Sequence, residues 1–163
     1  AAHRLRELNP RIEIQAVAQN VSPANAQPLV AAADLVVDCA PLFEERYALN
    51  RAALHLRRPM VECAVYELEA HLTTFLPGQT GCLRCQYPEL SPTWTRRFPV
   101  FGAVSGTAGS LAAMEAIKVL AGFGQTLAGR LLTLDLRHLS FRLFRLRRDP
   151  GCADCASVSK AQP

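Results

Sequence analysis

Long unbroken apolar runs are missing from this 163-residue chain. The nearest candidate, Phe98 to Met114, is rich in Gly, Ala and Ser and continues into Glu115 and Lys118, which fits a buried helix better than a membrane span. No stretch has the plan of a signal peptide, so the chain reads as soluble and cytoplasmic. Aromatic residues are scarce at 7%, and the one tryptophan, Trp94, lacks the companion rings of a base-stacking platform. Neither a G-x-G-x-x-G fingerprint nor a Walker lysine is present. The net charge of +4 comes largely from Arg57-Arg58, Arg96-Arg97 and the arginines from Arg142 to Arg148. Such clusters are more often a solvated face than a nucleic-acid site, so no nucleic-acid partner is expected. An initiator Met is absent too. The chain opens Ala1-Ala2-His3-Arg4 in what has the pattern of a helix interior, as a fragment would.

What is present begins with cysteine. Cys82-Leu-Arg-Cys85 and Cys152-Ala-Asp-Cys155 share one spacing and lie far apart in sequence. Four thiolates in two C-x-x-C knuckles make a closed tetrahedral set for Zn²⁺ with no position left for water, so Cys82, Cys85, Cys152 and Cys155 predict a structural metal site. Gly81 before the first pair and Pro150-Gly151 before the second allow the tight turns that such knuckles need. Two disulfides, or one thioredoxin-like redox pair, are the competing readings. A chain without a signal peptide argues against the first, and a redox pair needs no duplicate.

At 50% hydrophobic residues, the chain has enough apolar material for one core, and residues 1–163 are expected to form a single domain. Helical spacing from 2 to 8 stops at Asn9-Pro10, and alternation from Arg11 to Val17 predicts a strand. A short helix is expected from Asn25 to Ala33, a buried parallel strand from Asp34 to Cys39, a helix from Phe43 to Leu56 and a strand from Pro59 to Val65. This is the rhythm of an α/β fold. The alternating stretch Leu68 to Leu76 has antiparallel character and leads into the first cysteine pair. Tyr87 to Arg97 reads as a long functional loop, Ser105 to Leu120 as an almost wholly apolar helix ended by Gly122 and Gly124, and two closing strands flank Arg137-His138-Leu139. A helix apolar all round must be covered, by this domain or by a second subunit.

Other candidates have duller explanations. Gly102-x-x-x-Gly106-x-x-Gly109-Ser110 before a helix resembles a phosphate loop, but without the lysine close helix packing is the better explanation. Asp38 stands where open α/β sheets bind ligands, or simply caps the turn that follows. Cys39 and Cys63 follow apolar runs and are expected in the core. His3, His55, His71 and His138 show no pairing and are given no role.

Taken in order, several of these segments resemble the C-terminal two-thirds of the ThiF/MoeB/HesA family, the bacterial relatives of ubiquitin-activating enzymes. They are Asp38-Cys39 closing a strand, Arg46-x-x-x-Asn50, Gly81-Cys82-Leu83-Arg84-Cys85-x-Tyr87-Pro88-Glu89, Gly109-Ser110-Leu111-x-Ala113-Met114-Glu115-Ala116-Ile117-Lys118 and Pro150-Gly151-Cys152-x-x-Cys155. The resemblance implies a Rossmann-like α/β fold with a mixed sheet and a structural zinc, lacking its N-terminal nucleotide-binding portion. It implies a homodimer that uses ATP and Mg²⁺ to adenylate the C-terminal glycine of a ubiquitin-like sulfur-carrier protein in molybdopterin, thiamine or related sulfur-transfer biosynthesis. The small-residue helix would build the core and dimer face, with the preceding loop near the carrier's tail.

The departures from the family are specific. Its nucleotide-binding glycines, ribose-holding Asp and catalytic Lys all precede Ala1, so catalytic and ATP-binding residues are unassigned in this chain. Its Asp-Asn pair falls on Pro41-Leu42, and the cysteine that many members carry in the loop falls on Thr95. Neither proline nor leucine offers Mg²⁺ an oxygen donor, and a threonine does not replace a thiolate. The chain is therefore expected to be part of an adenylyltransferase, or else a zinc-stabilised, non-catalytic carrier-binding subunit.

Overall fold

The computed structural model describes residues 1–89 and 96–158. Its five strands, β1 (Val36–Asp38), β2 (Met60–Tyr66), β3 (Glu69–Phe75), β4 (Arg130–Asp135) and β5 (Ser140–Arg145), form one sheet in sequence order. The helices are α1 (Ala2–Leu8), α2 (Ala26–Ala31), α3 (Phe43–His55), α4 (Leu83–Gln86) and α5 (Gly102–Ala121). β1 and β2 run parallel because α3 carries the chain back between them, whereas β2 to β5 pair antiparallel. This is the mixed α/β sheet that the strand patterns predict.

The period-two geometry of β2 sends its side chains to two different cores. Met60 joins Val30, Tyr47, Ala48 and Leu49 beneath α2 and α3, while Val61 and Cys63 join Leu72, Leu134, Val104 and Ala108 beneath α5. Burial on both faces is why Pro59 to Val65 reads as a nearly continuous apolar run. α5 buries Val104, Ala108, Ala112 and Glu115, one stripe at spacings of four, four and three. It stops at Gly122, whose φ of 66° suits a residue without a Cβ and whose N–H reaches the Lys118 carbonyl at 3.0 Å. Glu115 pins this end to the sheet: its Oε2 accepts from Thr74 Oγ1 and from the Leu127 N–H, each at 2.7 Å, and Lys118 pairs with Oε1. That arrangement assigns a job to both charges in Met-Glu-Ala-Ile-Lys.

Two expectations fail here for physical reasons. Arg11 to Val17 is irregular rather than a strand, with Ile12 and Val17 exposed. Alternation makes a strand only when a neighbour pairs with it, and none of the described strands lies beside this stretch. Among the described residues, the glycine face of α5 has no close packing partner either. A Cβ placed on Gly102, Gly106 or Gly109 would meet nothing within 4 Å. The rest of that helix surface is apolar and open, with Met114, Ile117 and Leu120 exposed. Among the described residues, no helix is long and apolar enough to cross a membrane.

Candidate functional site

The two cysteine pairs meet in space. Cys82 ends the descent from β3 and starts the one-turn helix α4, which places Cys85 one turn on, with the Cys85 N–H bonded to the Cys82 carbonyl at 3.0 Å. Cys152 and Cys155 sit in the corresponding turn after β5, where Asp149 Oδ1 accepts from the Gly151 N–H at 2.8 Å. All four sulfurs lie within 4.8 Å of one another, with Cys82 Sγ 3.7 Å from Cys152 Sγ and Cys85 Sγ 3.5 Å from Cys155 Sγ. Those spacings are far too long for disulfides. They are close to the about 3.8 Å edge of a tetrahedron built on 2.3 Å Zn–S bonds, so the four thiols fit a metal ion such as zinc. A Cβ on Gly81 would stand 3.2 Å from both the Arg147 carbonyl and Cys85 Cβ, so the knuckles close around a residue with no side chain.

The surroundings hold the cluster from several sides. Arg148, from the basic stretch after β5, donates to the carbonyls of Cys155, Val158 at 2.8 Å, Ala156 at 3.3 Å and Gly78 at 3.4 Å, so this arginine is a clamp on the second knuckle. The Asp149 N–H points at Cys85 Sγ from 3.4 Å. Asn50 on α3, 1% exposed, links the halves: its Oδ1 accepts from the Leu83 N–H at 3.1 Å and its Nδ2 donates to Asp154 Oδ2 at 3.0 Å.

One helical turn before Asn50, on the same face of α3, Arg46 organises a second buried set. Its Nη1 lies 3.0 Å from Glu62 Oε1 and 3.5 Å from Asp38 Oδ2, and its Nη2 donates to the Cys63 carbonyl at 3.2 Å. Asp38 and Glu62 are both fully buried, so one guanidinium serves two carboxyl groups. Burial, which outweighs the attraction of Arg46, pushes the Glu62 carboxyl up to about 8. Among the described residues, no group stands in hydrogen-bonding geometry to its Oε2, although Gln86 lies near enough to favour its ionised form slightly. The other oxygen of Asp38, Oδ1, accepts from the Ala40 N–H at 3.0 Å. Asp38 therefore caps the turn after β1 and anchors Arg46, the second of its two expected roles.

Beside this network lies a cavity of about 370 Å³, walled by residues from both faces of the sheet. Its wall includes Cys39, Pro41, Phe43, Glu62, Cys63, His71, Tyr87, Ser105 and Gly109. His71 Nδ1 stands 3.2 Å from the Tyr87 hydroxyl, and burial holds the imidazole below its ordinary pKa against the pull of Glu69. Tyr47 donates its hydroxyl to the Tyr87 carbonyl, fixing the start of the loop that follows the first knuckle. A largely apolar wall with a few convergent polar groups is the usual character of a ligand site.

The structure thus brings Cys82, Cys85, Cys152 and Cys155 together, and Cys39 departs from expectation. It is exposed, because β1 ends at Asp38 and leaves the next residue on the cavity wall. Trp94 and Thr95 lie outside the described residues. Sequence reasoning missed Glu62, Tyr87 and His71. Glu62 had a signal, since an acid inside an apolar strand pattern needs a buried partner. His71 had none, because its partner comes from a different element.

Comparison with known proteins agrees with this geometry. Residues 1–154 match the ThiF family model. Protein HesA of Leptolyngbya boryana is 49% identical over 158 residues, covering 96% of this chain and 57% of that protein. The sulfur carrier protein adenylyltransferase of Thermus thermophilus is 38% identical over 164 residues, covering 95% of this chain and 60% of that protein. The chain thus spans about three-fifths of the length of these relatives. A crystal structure of E. coli MccB with ATP shares the fold, with a TM-score of 0.76 at 19% identity over 95% of this chain and 49% of that one. With the cysteine knuckles, the Arg46-x-x-x-Asn50 turn and the Glu115 anchor all in place, the chain belongs to the ThiF family, in its ThiF/MoeB/HesA branch.

Proposed function

We propose that this chain is part of an ATP-dependent adenylyltransferase that activates the C-terminal glycine of a ubiquitin-like sulfur-carrier protein in the cytoplasm. The observation that carries the reading is the 38% identity to a sulfur carrier protein adenylyltransferase along 95% of the chain. In such a reaction an oxygen of the carrier's terminal carboxylate attacks the α-phosphorus of ATP, a P–O bond forms, and the bond to pyrophosphate breaks. The residues described here supply binding and exclusion of water. The cavity between Cys39, Tyr87 and Gly109 is where a thin glycine-ended tail would lie, under an apolar wall that keeps the acyl-adenylate from hydrolysis.

The cofactors divide into one that fits and one that does not. Cys82, Cys85, Cys152 and Cys155 hold Zn²⁺ in this reading, and the ion contributes folding free energy by cross-linking the β3 exit to the β5 exit. Mg²⁺ finds no side-chain oxygen at Pro41 or Leu42, so no step is routed through it from this chain. That same departure favours a second reading: a zinc-stabilised subunit, without adenylation chemistry, that binds the carrier. The open apolar face of α5, with Met114, Ile117 and Leu120 exposed, supports a homodimer of the one-domain chain, which sedimentation equilibrium measures. Intact-mass analysis of candidate carriers incubated with the full-length protein and ATP separates the two functional readings. A carrier-AMP adduct supports the enzyme. Tight carrier binding with no adduct supports the subunit.

A further inference from the structure

Two cysteines stand apart from the metal cluster, and the sheet places them side by side. The parallel register pairs Val36 with Met60, Val37 with Val61 and Asp38 with Glu62, so the next step along both chains sets Cys39 beside Cys63. Side chains alternate along a strand, so while Asp38 and Glu62 face Arg46, both thiols fall on the α5 side, in the wall of the cavity. Neighbouring strands lie about 4.8 Å apart, inside the roughly 4.4–6.8 Å Cα separation that a disulfide spans. The two thiols share a hydrogen bond. Their surroundings differ: Cys39 is exposed, while Cys63 is 6% exposed with its carbonyl held by Arg46.

We propose that Cys39 and Cys63 form a reversible, peroxide-oxidised dithiol in the cavity wall, with Cys39 as the attacking thiolate and Cys63 as the resolving thiol. The hydrogen bond from Cys63 favours the Cys39 thiolate, bringing that thiol down to about 7, against burial and the nearby Asp38 charge. Solvent access, thiolate character and an adjacent second thiol are together the attributes of an oxidation-sensitive cysteine. In the first step Cys39 Sγ attacks one oxygen of hydrogen peroxide. An S–O bond forms, the O–O bond breaks, and hydroxide leaves. Cys63 Sγ then attacks the sulfenic sulfur, forming the S–S bond as the S–O bond breaks and the oxygen leaves as water with the Cys63 proton. The hydroxide takes a proton from solvent, so two thiols are oxidised by two electrons and one peroxide becomes two waters. A small-molecule thiol reverses the reaction by exchange. The bond would tie the end of β1 to β2 and replace two thiols in the cavity wall. The proposal does not depend on the adenylation reading.

The test is non-reducing peptide mapping of the full-length protein after brief exposure to hydrogen peroxide, with zinc content measured on the same sample. Cleavage after glutamate separates Cys63 from Cys82, because Glu67 and Glu69 lie between them. The expected product is a Cys39–Cys63 cross-linked peptide that dithiothreitol removes, with zinc retained. In C63S the product becomes a Cys39 sulfenic acid trapped by dimedone, and in C39S neither product forms. Full alkylation of both cysteines after peroxide treatment overturns the proposal, as does cross-linking confined to Cys82, Cys85, Cys152 and Cys155 with loss of zinc. The wild-type map decides even where a variant fails to fold.

Discussion

Replacing Glu62 with glutamine should change how stability depends on pH, with a sign that the buried network fixes in advance. Glu62 is fully buried, one oxygen faces Arg46 at 3.0 Å, and the other meets no hydrogen-bond partner among the described residues. Burial therefore keeps its proton on up to about pH 8, whereas the unfolded chain releases it near 4.5. Between those values the native state binds more protons than the unfolded state, so stability falls as pH rises and levels off above about 8. About 3.5 pH units at 1.36 kcal/mol each make the full effect on the order of 5 kcal/mol. An amide has no proton to lose here, and Arg46 keeps Asp38 and an amide oxygen as partners. Urea unfolding of wild type and E62Q, followed by circular dichroism from about pH 5 to 9, should give curves that nearly meet at the acid end. They should diverge in favour of the variant by several kcal/mol at the alkaline end. Parallel curves would refute the reasoning. If wild type is also the more stable at every pH, the Arg46–Glu62 ion pair outweighs the cost of burial.

Two further outcomes concern the cysteine cluster. Cys82→Ser should abolish stoichiometric zinc and cost more than about 4 kcal/mol, the range associated with a lost metal or a large core defect. Metal analysis and a thermal melt check it, and unchanged zinc with an unchanged Tm would contradict it. Asn50→Ala removes both links from α3 and strands the buried Leu83 N–H, so it should lower stability by about 2–4 kcal/mol. Zinc should also leave faster to a competing chelator, and a Tm shift without faster release would limit Asn50 to packing.

The parts of this fold that the sequence discloses are the locally coded ones. A C-x-x-C knuckle carries its own geometry, because one turn of chain sets the distance between its two sulfurs. The apolar runs that became β2 and α5 are likewise legible, since burial on a face leaves a periodic trace. Arg11 to Val17 misled because a strand is a property of two segments, and alternation reports only one. Cys39 misled in the opposite way: it follows an apolar run, yet β1 ends one residue sooner and leaves it at the cavity. The pairing of Cys39 with Cys63, of His71 with Tyr87 and of Arg46 with Glu62 depends on register and helix packing, which no spacing along the chain encodes. Asn50 was visible as half of Arg46-x-x-x-Asn50, but its partners, Leu83 and Asp154, stand 33 and 104 residues away.

The activity proposed for the full-length protein is transfer of AMP to a carrier's terminal carboxylate. The most direct measurement is ATP–pyrophosphate exchange with a candidate carrier, compared with the same carrier amidated at its C-terminus. Exchange is expected with the free carboxylate and none with the amide, because attack on the α-phosphorus needs that oxygen. Carrier binding without exchange, or exchange indifferent to the amide, would contradict it.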